Sequence, residues 1–402
     1  MFKQRCKQRY ERFAALSLVA VLAGCSSSTT PTPTPTPTPV PTPPPAPTAV
    51  IAGLATTATI GSTVDVGTGL GSGDANPYGL AIAPITTGGV TAGDLIVCNY
   101  NDSKGNAGAG TTIEDLKPVA GSKPVRVAQD ASLAGCNALA INPGGPIWVA
   151  AYTANDNPIY VPAKTGMSYT LATTLANAYM WNKPWGQIFG SPTPVAGSTT
   201  PAPAAFYISN AGDGSIVQAN ITANGLVFTQ IITGFPHSVD AKYGILAPAG
   251  LTYDPSSDTL YVVSSNTNSV LAFKSVSTIP KNGIVITVAA VTSTGAYSSV
   301  TSAAYSFTGT ASAQAKVVFS GAPLSYPISS ALLYNGDLVV GNTGDNNLVE
   351  IQPSSGTVLG TKSVDTGAPG AIFGIATSGT TQATQKVYFN NDNANSVVSL
   401  SQ

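Results

Sequence analysis

Charged side chains are scarce in this 402-residue chain, where Asp, Glu, Lys and Arg together make up 9% of the residues. Long solvated helices depend on such residues, so their scarcity argues against a helical protein. Residues 1–24 hold five of the 17 basic and one of the 18 acidic side chains. The remainder therefore carries a net charge of about −5. Its only arginine is Arg126, so it lacks a basic surface that could follow a phosphate backbone, and we predict no nucleic-acid partner.

Residues that serve in hydrolytic sites are also few. His237 is the only histidine, and a lone histidine cannot build a multi-histidine zinc site. We interpret it as a solvated loop residue and retain it only as a candidate ligand contact. Beyond residue 24 there are two glutamates, Glu114 and Glu350, and the chain contains neither a GxSxG nor an HExxH motif. We therefore predict no catalytic residue, no metal site and no cofactor.

The N-terminus has the pattern of an export signal. A basic stretch (Lys3–Arg12) precedes an apolar run (Phe13–Leu22) that is too short to span a bilayer, so we predict a signal peptide over residues 1–24. Residues 22–25, LAGC, resemble the bacterial lipobox. The resemblance implies cleavage before Cys25 and attachment of lipid, palmitate included, to that residue; a plain signal peptide is the alternative. Ser26 is not the aspartate of inner-membrane retention, so by analogy the outer membrane is favoured.

A proline- and threonine-rich tract follows Cys25. Alternating proline prevents both helices and sheet ladders, so residues 25–49 are predicted to be an extended tether between the lipid and a folded domain over residues 50–402. The 41 glycines and 31 prolines of the chain favour an all-β, loop-rich, exported domain.

One β-hairpin pattern recurs six times in this domain. Residues 338–351, LVVGNTGDNNLVEI, show its form: a strand, a turn of Asn, Asp and Gly, and a second strand. Aligning the hairpins on the residue that ends their first strand gives a spacing of 49 to 76 residues, which is typical of propeller blades. The aligned residues are Asn99, Ala151, Asn210, Asn266, Asn342 and Asn391.

A further short strand precedes each hairpin, and several of these strands contain Pro-x-Gly followed by aliphatic residues, as in PYGLAI (77–82). This combination resembles NHL repeats over residues 70–400, although the basic residue usual after the turn is missing. The resemblance implies a β-propeller, and we predict six blades of four strands. The sixth repeat lacks an outer strand, so we expect residues 58–66 to pair beside residues 396–400 and close the ring.

Two long insertions interrupt the repeats, at residues 164–200 and 275–321. The second contains strand-like segments, IVITVAAV (284–291) and AKVVF (315–319), and it leaves a seven-bladed propeller as the alternative.

Cysteine usage suits an exported protein. Cys6 lies in the signal peptide and Cys25 in the lipobox, which leaves Cys98 and Cys136 in the domain. In a propeller these two residues belong to one face of adjacent blades, so we expect a disulfide between them. Two separate thiols or a metal site remain as alternatives.

Two sets of residues are candidates for binding. Aromatic residues recur where the inner strands begin, at Tyr78, Trp185, Tyr326 and Phe373. By repeat symmetry they lie near one mouth of the channel, where a rim that contacts a ligand and ordinary packing between neighbouring blades are the two alternatives. The acidic turns could hold calcium, although Asn and Asp are also what tight hairpins require sterically.

From these patterns we expect a monomeric, lipid-anchored envelope propeller that binds a protein or glycan partner without catalysis. A metal-dependent, lactonase-like hydrolase and a purely structural surface protein are the alternatives.

Overall fold

A computed structural model describes residues 48–163, 168–179, 181–194, 202–240, 244–291 and 303–402. The predicted signal peptide, Cys25 and nearly all of the tether lie outside these residues. No helix within the described residues is long and apolar enough to cross a membrane. Helical structure there is limited to α1 (Val50–Gly53) and the 3-10 turns at Ala131–Leu133, Ser265–Thr267, Val276–Thr278, Ser312–Gln314, Gln382–Thr384 and Asp392–Ala394.

Strands form the rest of the architecture, in six antiparallel four-stranded blades. Blade 1 consists of β2 (Ala75–Ile82), β3 (Leu95–Asn101), β4 (Thr112–Leu116) and β5 (Val125–Gln129). Blade 2 consists of β6 (Cys136–Ile141), β7 (Ile147–Ala151), β8 (Ile159–Pro162) and β9 (Tyr169–Thr173). Blade 3 begins with β10 (Pro184–Gly190), β11 (Ala205–Asn210), β12 (Ser215–Thr222) and β13 (Gly225–Thr233).

The second half of the ring repeats this order after a short hairpin of β14 (Ser238–Asp240) and β15 (Gly244–Leu246). Blade 4 consists of β16 (Pro248–Asp254), β17 (Thr259–Ser264), β18 (Ser269–Phe273) and β21 (Ala315–Ser320). Blade 5 consists of β22 (Pro327–Leu332), β23 (Leu338–Asn342), β24 (Asn347–Gln352) and β25 (Thr357–Ser363). Blade 6 consists of β26 (Ile372–Ser378), β27 (Lys386–Asn391), β28 (Ser396–Ser401) and β1 (Thr56–Ser62).

The N-terminal strand closes the ring, as the sequence predicted. β1 pairs antiparallel with β28, from Thr56 opposite Ser401 to Ser62 opposite Ser396. The strand begins two residues before the predicted segment and ends four residues before the predicted end. Joining the first and last strands in one sheet gives blade 6 its outer strand, which protects the edge of β28.

The seven-bladed alternative is wrong. The second insertion contributes β19 (Ile284–Val291) and β20 (Ala303–Thr308), which extend blade 3 because β19 pairs in parallel with β13. Its last strand, β21, pairs with β18 as the outer strand of blade 4. Ile284 and Ile286 are buried together with residues of blades 3 and 4, so this hairpin fills the wedge between two blades.

Glycine in the Pro-x-Gly pattern is required by the close approach of neighbouring inner strands. A Cβ atom added at Gly186 would lie 1.9 Å from the backbone oxygen of Ala249, and one at Gly250 would lie 2.5 Å from Cα of Ser329. Real Cβ atoms are essentially never found that close to backbone. The repeated glycine therefore reflects blade packing.

The aligned residue at or near the end of the second strand has a structural role in most blades. Asn99, Asn210 and Asn342 are fully buried, and each donates its side-chain amide to a neighbouring loop or side chain. In blade 4 the register places Ser264 at this position, opposite Pro248, as Asn342 lies opposite Pro327. The sequence alignment on Asn266 was therefore two residues too late, because Ser264 stands where most blades have Asn and the nearest Asn comes two residues later.

Residues one position earlier link adjacent blades. Cys98 is joined by a disulfide to Cys136 of the next blade, with the two Cα atoms 6.0 Å apart. Ser209 donates to the backbone oxygen of Ala249 over 2.9 Å, and Asn390 donates to that of Tyr78 over 3.0 Å. Three of the six blade junctions thus carry a covalent or polar link at one repeat position.

Candidate functional site: the axial channel

The first strand of each blade lines the axis of the ring. β2, β6, β10, β16, β22 and β26 are the inner edges of their sheets, so on this side their backbone N–H and C=O groups have no strand partner. Together they enclose a cavity of about 400 Å³, near the lower end of the range for small-molecule sites. Its walls combine backbone edges with aliphatic, amide and hydroxyl side chains.

Charged side chains do not line this cavity. Among the described residues that form its wall there is no Asp, Glu, His, Lys or Arg, and the titratable groups are the phenols of Tyr78 and Tyr253. Burial raises the pKa of both phenols, so they remain protonated near neutral pH. The nearby Asp392 has its pKa raised to about 8 by burial, so it too is mostly protonated at pH 7. The channel is therefore electrically neutral.

One repeat position on the inner strands carries the predicted aromatic residues. Each residue at this position comes directly after the bridged residue that precedes the register shift of its inner strand; the six are Tyr78, Asn137, Trp185, Ala249, Ile328 and Phe373. Three of the four aromatic candidates thus share a single level of the channel.

These side chains pack on one another instead of forming an open rim. The ring of Tyr78 is stacked on Phe373 at a centroid distance of 3.6 Å and on Tyr100 at 4.1 Å. Trp185 meets Tyr78 edge-on at 6.3 Å, and it is only 7% exposed. We call the group Tyr78, Tyr100, Trp185 and Phe373 the aromatic cap. Because both faces of Tyr78 are covered, its ring offers no free stacking face to a ligand.

Trp185 is consequently a packing residue as well as a channel residue. It belongs to a buried cluster with Ala211, Ala247, Ala249 and Ile328. Replacing such a side chain with alanine typically costs about 3–5 kcal/mol. We therefore expect a Trp185→Ala variant to lower the stability of the ring, so a loss of ligand binding in this variant would not by itself show that Trp185 contacts the ligand.

The other two ligand candidates lie elsewhere. Tyr326 precedes Ile328 by two residues, at a repeat position where the backbone is left-handed, as it is at Asn76 and Lys183. His237 is exposed next to the β14–β15 hairpin, and its Nδ1 lies 3.1 Å from the backbone oxygen of Phe235. The structure therefore brings together Tyr78, Trp185 and Phe373 but neither Tyr326 nor His237 at the same level.

The acidic turns are occupied by local hydrogen bonds. Asp102 accepts from the backbone N–H groups of Lys104 and Asn106, and Asp345 accepts from that of Asn347. Within the described residues no group of three or more His, Cys, Asp or Glu side chains could hold a metal ion. The donor set of the channel, lacking carboxylates, does not fit a metal-dependent hydrolase either.

Three polar residues of the channel were missed from the sequence. Asn137, Gln187 and Ser329 line the cavity on blades 2, 3 and 5. Each lies at the repeat position of the aromatic residues or one or two residues after it. Aligning the six inner strands with one another, residue by residue, would therefore have identified them. The search for aromatic residues alone passed over them.

Solved structures with the same architecture include enzymes. A gluconolactonase from Xanthomonas campestris is 12% identical, with a TM-score of 0.51 and coverage of 82% of this chain and 86% of that one. The PQQ-bound aldose sugar dehydrogenase from Streptomyces coelicolor is 14% identical, with a TM-score of 0.50 and coverage of 86% and 98%.

At this level of identity the likeness shows the fold alone. No protein-family model matches the sequence, and no curated protein matches it significantly. The NHL resemblance therefore stays a hypothesis, whereas the six-bladed propeller architecture is established by the structure and its neighbours.

Proposed function

We propose that this protein is a lipid-anchored propeller of the bacterial envelope that binds a small uncharged ligand in its axial channel without transforming it. The observation that carries the binding role is the neutral cavity of about 400 Å³, whose wall has amide and hydroxyl side chains but no acid, base or cation. General acid–base catalysis requires a titratable group within reach of the reacting atoms. Burial raises the pKa of the two phenols in the wall, Tyr78 and Tyr253, further above neutral pH.

The metal-dependent hydrolase is the second candidate, and the fold shared with a gluconolactonase is its support. Metal-assisted hydrolysis needs a fixed set of oxygen or nitrogen ligands, usually including carboxylates. The side chains of the channel wall provide amide and hydroxyl oxygens but no carboxylate. We therefore rank binding without turnover ahead of hydrolysis.

The channel prediction is tested with the full chain purified in detergent. Neutral, acidic and amino sugars are titrated by calorimetry, and hydrolysis of sugar lactones is assayed with and without Ca²⁺, Mg²⁺ or Zn²⁺. We expect saturable binding of at least one neutral compound and no lactone hydrolysis above the uncatalysed rate. Metal-dependent hydrolysis would overturn the proposal in favour of the second candidate, and the absence of any binding would overturn it outright.

Membrane attachment rests on the lipobox-like LAGC at residues 22–25. In a Cys25→Ser variant the thiol that accepts the lipid is missing, so we expect the protein to move from the membrane pellet to the soluble fraction and to lose incorporation of labelled palmitate. A Ser27→Ala variant in the same tract should stay in the pellet. Retention of Cys25→Ser in a carbonate-washed pellet would contradict lipid anchoring.

A further inference from the structure

The two faces of the ring are built from different loops. Loops that join the first strand of a blade to the second, or the third to the fourth, form what we call the distal face. Loops that join the second strand to the third, or one blade to the next, form the mouth face, where the inner strands begin and the aromatic cap lies. Because neighbouring strands of a blade are antiparallel, each residue at a strand end belongs to one of these faces.

Lysines are the outermost charges of the distal face. Asp94 and Asp115 pair with a lysine there and are 2% and 4% exposed, and Asp337 is 5% exposed. Asp254 and Asp258 are partly exposed. Lysines equal these aspartates in number, but their ammonium groups are the more accessible. The exposed lysines that the structure describes on this face are Lys117, Lys123, Lys274, Lys316 and Lys386.

The mouth face is more acidic. Its aspartates that are at least partly exposed are Asp102, Asp130, Asp213, Asp345 and Asp365. The lysines that accompany them in the described part of the chain are Lys104, Lys183 and Lys362. Asp74 and Asp156 add two buried carboxyls, whereas Arg126 neutralises Asp65. An anionic surface therefore repels the mouth face more strongly than the distal face.

Exposed apolar side chains are also concentrated on the distal face. Of the nine large apolar residues that are most exposed in the described ranges, six lie there at 37–60% exposure: Ile85, Val119, Val125, Ile221, Val227 and Tyr334. The six belong to blades 1, 3 and 5, and the exposed lysines belong to blades 1, 4 and 6. A protein interface concentrates its binding energy near one centre, whereas contacts spread around a ring suit a flat surface such as a bilayer.

The length of the tether leaves the orientation to these two faces. Twenty-two residues lie between Cys25 and Thr48, and a fully extended chain of that length reaches about 75 Å. The described chain begins beside blades 5 and 6, where the backbone of Val50 donates to Glu350. Because such a tether allows either face to meet the membrane, the chemistry of the two faces decides which one does.

Resting on the lipid anchoring proposed above, we propose that the distal face docks on the anionic lipid surface that holds the anchor, with the mouth face turned away from it. The lysine ammonium groups pair with lipid phosphates, and the exposed aliphatic side chains enter the headgroup region. Tyr334 has the amphipathic ring that is typical of membrane interfaces. The mouth of the channel then opens towards the aqueous compartment.

Fluorescence of the lipidated full-length domain and tether, reconstituted into vesicles of phosphatidylethanolamine and phosphatidylglycerol, tests this orientation. A thiol is introduced by Val119→Cys or Val227→Cys on the distal face, or by Val66→Cys on the mouth face, and labelled with a small fluorophore. Cys98 and Cys136 are joined in a disulfide and do not compete for the label. We expect brominated acyl chains to quench the two distal labels about twofold and to leave the label at residue 66 unchanged.

Charge reversal tests which lipid chemistry is recognised. A variant with Lys123→Glu, Lys274→Glu and Lys386→Glu should show about half or less of the quenching at residue 119, because anionic lipid attracts each lysine near its surface. The matched control reverses Lys104 and Lys362 on the mouth face to glutamate and should be quenched like the parent. Melting temperatures establish that each variant is folded, and Val125→Cys replaces Val227→Cys if the latter is not.

Each other result overturns a defined part of the proposal. Quenching at residue 66 in place of 119 and 227 would mean that the mouth face meets the membrane. If the chain floats with the vesicles and no label is quenched, docking is wrong while lipid anchoring stands. If the chain does not float with the vesicles, both proposals fall. Equal quenching with and without the three distal lysines would mean that an anionic surface is the wrong partner.

Discussion

Deleting residues 49–62 is expected to leave the chain unable to fold into a stable ring. This segment, which we call the N-terminal clasp, supplies β1 of blade 6 and packs Val50, Ile51, Leu54 and Ile60 at 2% exposure or less. Burying a side chain of this kind contributes about 1.5–3 kcal/mol, so the four together are worth about 6–12 kcal/mol. Native domains have a total stability of about 5–15 kcal/mol.

The clasp also satisfies a buried acid on another blade. The backbone N–H groups of Val50 and Ile51 donate to the two carboxylate oxygens of Glu350, over 2.9 and 2.8 Å. Glu350 lies on β24 and is fully buried. Without the clasp, Glu350 would lose both hydrogen-bond donors, and β28 would become an unpaired edge strand. The loss of folding free energy therefore exceeds the loss from apolar burial alone.

Circular dichroism and thermal melting of the truncated chain measure this effect. We expect loss of the cooperative transition, and its partial recovery when a synthetic peptide of residues 49–62 is added in excess. A milder variant, Glu350→Gln, keeps one acceptor oxygen and should melt cooperatively at a lower temperature. A truncated chain that melts within a few degrees of the intact one would show that the ring does not depend on the clasp.

Replacing Glu114 with glutamine is expected to flatten the pH dependence of stability. Glu114 is fully buried on β4, opposite Arg126 on β5 and next to Asp65 of the loop that follows the clasp. Burial and the adjacent Asp65 carboxylate raise the pKa of Glu114 to about 9. Arg126 donates to Asp65 over 2.7 Å and also pairs with it through a second nitrogen. Burial raises the pKa of Asp65, but these bonds outweigh it and the net shift is downward.

The sign of the effect follows from proton counting. Between the ordinary pKa of 4.5 and the folded value of about 9, the folded chain keeps a proton on Glu114 that the unfolded chain has lost. The contribution of Glu114 to the free energy of unfolding is fully present below pH 4.5, and it declines as the pH rises towards 9. The slope is about 1.4 kcal/mol per pH unit for one proton.

Glutamine cannot lose a proton, and it keeps the size of the Glu114 side chain. Denaturant unfolding at pH 5, 6, 7 and 8 should therefore show the free energy of unfolding of Glu114→Gln rising relative to the unaltered chain at each step. The control is Asp102→Asn, since hydrogen bonds from Asn106 and Lys104 lower the pKa of this exposed carboxyl and keep it ionised throughout that range. Parallel curves for Glu114→Gln and the unaltered chain would mean that Glu114 is ionised in the folded state.

The predicted part of the fold consists of features that short sequence patterns specify. Alternating strands, Asn-rich turns and Pro-x-Gly act within one blade, so the hairpins and the number of blades could be read from them. The closing strand was predictable because a blade without an outer strand leaves an edge unpaired. The alignment failed at Asn266, because Ser264 occupies the position at which the other repeats mostly have Asn.

The candidate site was predicted only in part. Tyr78, Trp185 and Phe373 do share one level of the channel, as repeat symmetry indicated. Whether their rings would face a ligand or one another depends on side-chain packing across blades, and they turn out to be stacked. Asn137, Gln187 and Ser329 also line the channel, and no sequence pattern marks them, so only the structure places them there.

The sequence by itself determined the all-β class, the repeated hairpin and the ring of blades, because these follow from local strand and turn propensity and from the spacing of the repeats. Only the tertiary structure determined which residues of neighbouring blades contact each other. It joined Val50 to Glu350 across 300 residues and stacked the aromatic residues of the inner strands on one another. Such contacts join residues that are distant in sequence, and no local pattern specifies which partner a buried polar atom finds.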